Sequence, residues 1–438
     1  VTVAIAGQVQ KATADGQGKW RVTLSPLPMG APLKLVVEGK NRVERNDILV
    51  GEVWLCSGQS NMELPVAASA NADLEIPVAH HPQIRLVRVK GEGSQTPVED
   101  FDGRWEVCSP ETVKGFSAVG YFFGRELQQQ LDLPVGLVDN SWGGSSCEAW
   151  IRRDRFEGNP LYEVQLAQWD KLAAEFDEAK AKREGQPNPL VGQHRPANLY
   201  HARLGPILGY AIRGAIWYQG ESNAGRAYQY REMFPLMIRS WREDWDQGDF
   251  PFYWVQLADF MAEQPEPAES AWAELREAQT MTQDRLPNTG QAVIIDLGEA
   301  SDIHPRNKLE VARRLARWAL ARDYGRNIAC QCPRYDAMEA KDGVVLVKFK
   351  DVGGGLRTVD AAEVQGFAIA SEDRKWRWAE AKIVAPDRIV VSHKEVTAPV
   401  AVRYAWSDNP VCNLYSQAGL PVSPFRTDDW PGVTINAR

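Results

Sequence analysis

A chain of 438 residues is too long for one ordinary core, so two or three domains are expected. Its net charge of −8 and pI near 5.5 argue against nucleic acid or an anionic membrane surface as a partner. No stretch of about eighteen apolar residues is present to cross a membrane, and no signal peptide opens the chain. The first 26 residues already read as strands, so the chain is expected to start inside a folded unit, with any export signal lying ahead of Val1 and out of view. The six cysteines, Cys56, Cys108, Cys147, Cys330, Cys332 and Cys412, are unclustered, and a chain this large needs no disulfide framework. The six histidines include no HExxH, and no metal site is expected. Sixteen tryptophans supply apolar area with one polar tip, as sugar clefts use it, although most are expected in the core.

In chain order, residues 1–50 alternate apolar and polar positions (Val1, Val3, Ile5; Trp20, Val22, Leu24; Leu33, Leu35, Val37), with Gly and Pro punctuation. Such patterning predicts three or four antiparallel strands, too small a core to stand alone. From 51 to about 326 strands and helices alternate. Strands are predicted at Val53–Cys56, Ile84–Val89, Val135–Asp139, Ala215–Tyr218, Phe252–Leu257 and Ala292–Asp296. Helices are predicted at Ala118–Gln130, Tyr228–Trp245, Ala271–Arg285 and Lys308–Arg322. This is the pattern of a parallel sheet covered on both faces, whose ligands sit at the carboxyl ends of the strands. A charged amphipathic helix over Leu161–Glu184, with the polar loop after it, reads as an insertion at about 155–196, a solvated element or a wall of the site. From 327 to 438 the alternation returns to β, with no helix. One flanking β domain built from the N- and C-terminal segments is expected.

Four strand ends carry chemistry. Val53–Cys56 runs into Ser57-Gly58-Gln59-Ser60-Asn61, a turn that lifts the Ser60 hydroxyl to the sheet edge and turns its N–H toward a helix start. Helix capping is the plainer use of such a serine. Gly143 and Gly144 follow the Val135–Asp139 strand and allow a backbone N–H to approach a ligand. Gln219-Gly220-Glu221-Ser222-Asn223 follows the next strand and offers amide donors and a carboxylate. Asp302 and His304 follow the last strand, the aspartate placed to orient the imidazole. One edge of a parallel sheet would then gather a nucleophile, a base, an orienter and oxyanion donors, the parts of acyl transfer.

These turns resemble, in order, the four blocks of the SGNH (GDSL-like) hydrolases. More narrowly, WLCSGQSNM (54–62), IWYQGESN (216–223), DIHPRNK (302–308), VRYAWSDNP (402–410) and SPFRTDDW (423–430) are similar to sialate O-acetylesterases, over nearly the whole chain. The resemblance implies a flavodoxin-like α/β catalytic domain at 51–326 and a serine esterase that needs no cofactor. It removes acetyl groups from a sugar or glycan, with Ser60 as nucleophile, His304 as base and Asp302 as orienter. Asp296 or Glu299 is the alternative orienter. The N–H groups of Ser60 and of Gly143 or Gly144, and a side chain of Gln219 or Asn223, would form the oxyanion hole. Glu221, Trp142 and Trp217 would contact substrate. O-acetylated sialic acid is the expected substrate. Acetylated xylan is the alternative, since xylan acetylesterases share the GQSN and QGES turns. A carbohydrate-binding protein without turnover is the reading from another class. The family is mostly secreted, periplasmic or lysosomal, which implies work outside the cytoplasm.

Overall fold

The computed structural model describes residues 1–438. Four N-terminal strands, β1 (Thr2–Ile5), β2 (Gln8–Lys11), β3 (Leu33–Glu38) and β4 (Arg42–Ile48), form an antiparallel sheet in the order β2-β1-β3-β4. Its enclosed apolar residues are Val3 and Ile5. The alternation at Trp20, Val22 and Leu24 does not become a strand, and Trp20 is exposed. So thin a sheet offers no second apolar layer to pack that face. The segment is held instead by the Gln8 amide, which donates to Ser25 O and accepts from Ser25 N, at 3.1 and 2.8 Å.

The central sheet has seven strands in the order β11-β10-β9-β5-β8-β6-β7. They are β5 (Glu52–Gly58), β6 (His81–Arg88), β7 (Glu106–Cys108), β8 (Val135–Ser141), β9 (Gly214–Tyr218), β10 (Phe252–Val255) and β11 (Thr289–Ala292). All pairings are parallel except that of the edge strand β7 with β6. Alternate side chains enter two cores, as a sheet covered on both faces requires. Leu55, Trp217 and Trp254 face one, with α4 (Ala227–Trp245) and α5 (Ala271–Arg285) packed over them. Trp54, Ile216 and Tyr253 face the other, under α2 (Ala118–Leu131) and α6 (Lys308–Arg322). Ser117, Ser270 and Asn307 cap α2, α5 and α6 by accepting from backbone N–H groups of the first turn. A single turn of helix, α1 (Ser60–Glu63), follows β5.

The expected strand at Ala292–Asp296 is displaced: β11 pairs only through Ala292. Val293 and Ile295 turn instead into the core of the C-terminal β unit. The insertion is two helices, α3 (Pro160–Glu175) and a short one at Glu178–Arg183. They break where Asp177 leaves the first and caps the second by accepting from Lys180 N.

The C-terminal unit contains three antiparallel sheets and no helix. Its strands pair only among themselves, so the N- and C-terminal segments do not build one shared sheet. The reason is position. The N-terminal sheet meets the amino ends of the central strands, where Asp47 pairs with Arg85 at 2.9 Å. The C-terminal unit packs on the residues that follow β11.

Candidate active site

Register sets the site. Gly58 of β5 lies level with Ser141 of β8 and Tyr218 of β9. The turns that leave those strands therefore emerge side by side. Gly58 has φ +137°, and a Cβ there would run into the Tyr218 carbonyl, so only glycine fits where β5 bends. Backbone bonds join the turns: Gln59 N donates to Tyr218 O at 2.9 Å and Trp142 N to Gly58 O at 3.0 Å. The Gln59 side chain, fully enclosed, accepts from Gly220 N and Ser222 N, both at 3.3 Å.

Ser60 Oγ lies 2.8 Å from His304 Nε2. On the other side of the ring, Nδ1 is 3.4 Å from Asp302 Oδ1, which also accepts from His304 N at 2.9 Å. A proton on Nδ1 is favoured by that carboxylate, which leaves the Nε2 lone pair toward the serine. The alternative orienters are engaged elsewhere. Asp296 takes both terminal nitrogens of Arg314 and the Tyr415 hydroxyl. Glu299 accepts from the backbone and side chain of Arg306.

Ser60 N–H is the first of α1 and has no helical acceptor, and Gly144 N–H donates to no protein group. Gly143 stands against Ser60, since a Cβ built there would lie 3.7 Å from Ser60 Cβ. Its N–H is held by Glu63 Oε2 at 2.6 Å. Ser60 N–H and Gly144 N–H thus have no acceptor within the protein.

Gln219 and Asn223 do not offer an oxyanion donor here. Both are buried, and the Gln219 amide donates to Ser145 O and to Asn223 Oδ1 at 3.1 and 2.6 Å. Asn223 Nδ2 donates to Glu148 Oε2 at 2.9 Å and lies against Met233 Sδ, while its Oδ1 also accepts from Cys147 N. Their amide hydrogens are spent on joining the β8 and β9 turns. Two of the expected substrate contacts are also corrected. Trp217 is fully buried among Trp150, Phe234 and Trp241, because its place in β9 directs it into a helix-covered face. Glu221 turns inward: Oε1 accepts from Asn61 Nδ2 at 2.7 Å, and Oε2 is closed off without a partner. Burial pushes its carboxyl above the usual range, against the Asn61 bond and the nearby Lys308. Trp142 stays half-buried at the mouth, with the Arg203 guanidinium 4.4 Å from its ring.

Residues not singled out from the sequence complete the arrangement. Asn61 Nδ2 also donates to Ile303 O at 2.9 Å, and Lys308 Nζ donates to Asn61 Oδ1. The tail of the insertion borders the glycine turn: Ser146 N donates to Gln193 O at 3.2 Å. No group of three or more His, Cys, Asp or Glu side chains stands placed to hold a metal ion. The cysteines are all unpaired, and no helix is long and apolar enough to cross a membrane. A serine hydroxyl against a ring nitrogen, with free N–H donors beside it, is suited to attack a carbonyl and hold the resulting oxyanion.

Comparison with known proteins agrees with that chemistry. The family model for carbohydrate esterase, sialic acid-specific acetylesterase matches residues 50–181 and 195–320. Human sialate O-acetylesterase is 30% identical over 462 residues, covering 95% of this chain and 84% of its own. The mouse sialate O-acetylesterase is 29% identical over 452 residues, 93% of this chain and 83% of its own. A crystal structure of a carbohydrate acetylesterase from Xanthomonas citri superposes with a TM-score of 0.87 at 38% identity, covering 98% of this chain and 93% of that one. The protein is thus a carboxylic ester hydrolase of the carbohydrate esterase class. Within that class, the chain belongs to the sialic acid-specific acetylesterase family.

Proposed function

We propose that the protein is a serine esterase that removes O-acetyl groups from a sugar, with O-acetylated sialic acid as the substrate, through an acetyl-enzyme on Ser60. The observation that carries this reading is the 2.8 Å approach of Ser60 Oγ to His304 Nε2, with Asp302 behind the ring. His304 takes the Ser60 proton as the hydroxyl oxygen attacks the acetyl carbonyl. Ser60 N–H and Gly144 N–H hold the tetrahedral oxyanion, joined by Gly143 N–H once Glu63 moves aside. His304 then protonates the departing sugar oxygen. Water deacylates the serine with His304 again as base. The names of the relatives and of the matching family support the sialate substrate.

The strand order supports an SGNH-type catalytic unit at 51–326, with the β segments 1–50 and 327–438 on either side. Without the flanking β6 and β7, the parallel strands run β8-β5-β9-β10-β11. That is second-first-third-fourth-fifth, the flavodoxin-like order. The family resemblance supports a secreted or periplasmic location, which fractionation of cells expressing the natural full-length protein tests.

Acetate release measured side by side on O-acetylated sialic acid and acetylated xylan tests the substrate. Faster release from the sialate is expected, and a preference for xylan would reassign it. Ser60→Ala is expected to abolish turnover of p-nitrophenyl acetate, and retention of most of the activity would contradict the mechanism.

A further inference from the structure

Beneath the Ser60–His304 pair lies a charged side chain that the proposed mechanism does not use. Lys308 opens α6 just after the His304 loop and is fully buried. Its Nζ donates to Asn61 Oδ1 and lies 4.9 Å from the Tyr218 ring centroid. Asn61 is itself buried and follows Ser60 directly. Its Nδ2 donates to Glu221 Oε1 at 2.7 Å and to Ile303 O at 2.9 Å, the carbonyl just before His304. One amide thereby ties the nucleophile turn to the base loop and to the turn after β9.

We propose that Lys308 is a positioning residue, which orients the Asn61 amide so that this amide holds Ser60 and His304 at reacting distance. The inference rests on the Ser60–His304 mechanism above.

The chemistry of the partners dictates the orientation. A carbonyl and a carboxylate only accept, so they require the NH2 end of Asn61, and the oxygen end is then left to accept from Lys308. With Lys308 removed, Asn61 Oδ1 loses its buried donor, and the orientation that serves Ile303 O loses its lock. The ionisable groups around the amine are Glu221 from the β9 turn, Asp302 and Glu299 from the base loop, and Tyr218 from β9. Burial draws Lys308 down to about 7 against the pull of those carboxylates. The amine donates to Asn61 in either protonation state, so the lock holds across that change.

The experiment is a double-mutant cycle on p-nitrophenyl acetate hydrolysis by the full chain: parent, Lys308→Met, Asn61→Ala and the pair, each also checked by thermal melting. Lys308→Met is expected to lower kcat about tenfold or more, since a small misplacement of reacting groups has that scale of cost, with KM within about twofold. The double variant is expected to lose no more than the worse single one, because both changes remove the same lock. A parent-like kcat in folded Lys308→Met, or losses that multiply in the double variant, would overturn the proposal. Should Lys308→Met not fold, Asn61→Asp carries the test. It keeps the acceptor for Lys308 but removes both donated bonds, so kcat is expected to fall about tenfold or more at similar KM. Parent-like kcat there overturns the proposal. Ser60→Ala in the same series separates the two readings. If it stays active, the mechanism and the inference fall together. If it is inactive while Lys308→Met turns over normally, only the inference falls.

Discussion

At Ser60 the hydroxyl gains its partner through a loop more than two hundred residues later. Asp302 meets the ring from behind at 3.4 Å and also holds the His304 backbone. Asp302→Asn is expected to lower kcat about 100-fold or more while substrate still binds, because the imidazole loses the charge that fixes its tautomer. Steady-state kinetics check this, and a kcat within threefold of the parent would return the orienting role to another group. Gln219 and Asn223 behave differently. Since their amides are committed to buried partners, Gln219→Ala is expected to destabilise the fold by about 1–3 kcal/mol, measured by chemical denaturation. Unchanged stability with a selective loss of kcat would make Gln219 an oxyanion donor after all. Ser60, Asp302 and His304 were legible because small polar and titratable residues follow apolar strand runs. The placements of Trp217, Glu221 and Lys308 were not. Position at a strand end does not say which face a side chain takes, and a lysine in a first helical turn reads as solvated.

Among the elements, β5 ends under a double constraint. Its last residue, Gly58, combines a positive φ with a close approach to the Tyr218 carbonyl. Gly58→Ala is expected to cost on the order of 3 kcal/mol or more, seen as a fall in melting temperature or loss of soluble protein. The end of α6 shows the opposite case, a place where stability is withheld. Burial lifts Asp323 to about 6, although Tyr253 donates to it at 2.8 Å. A carboxyl whose folded value exceeds its unfolded one adds stability below the unfolded value. That contribution is lost as pH rises through about 6. Asp323→Asn is thus expected to stabilise the protein at about pH 8, by on the order of 1 kcal/mol once partial exposure is allowed for, and to match the parent near pH 4. Melting curves at the two pH values decide it, and a variant less stable than the parent at pH 8 contradicts it. The helices α2, α4, α5 and α6 were readable to within a residue or so, because their apolar period is long, and α2, α5 and α6 also open on side-chain caps. The strand predicted at Ala292–Asp296 was not. An apolar run looks the same whether it pairs in a sheet or feeds the core of the next unit, as Val293 and Ile295 do.

Across the whole molecule, the C-terminal β unit is joined to the unit built on the central sheet by polar contacts as well as by that shared core. The buried Arg276 of α5 donates to the carbonyls of Leu257 and Ala258 on one side and of Ser407 and Asp408 on the other. The Asp408 backbone also binds Phe260 N. The joint meets the loop that carries His304, where Met261 N donates to Ala300 O at 3.1 Å. The unit thus buttresses the segment that carries Asp302 and His304. No local sequence pattern reveals such a joint, since the donors and acceptors that cross between the two units lie over a hundred residues apart and the acceptors are backbone carbonyls. In the proposed mechanism the Ser60 hydroxyl is the group that takes the acetyl. That step is tested most directly by mass spectrometry of peptides from enzyme quenched during turnover of p-nitrophenyl acetate. One acetyl group is expected on the peptide that contains Ser60 and none in Ser60→Ala. Acetate released at the parent rate by Ser60→Ala, or an acetyl trapped on another residue, would contradict it.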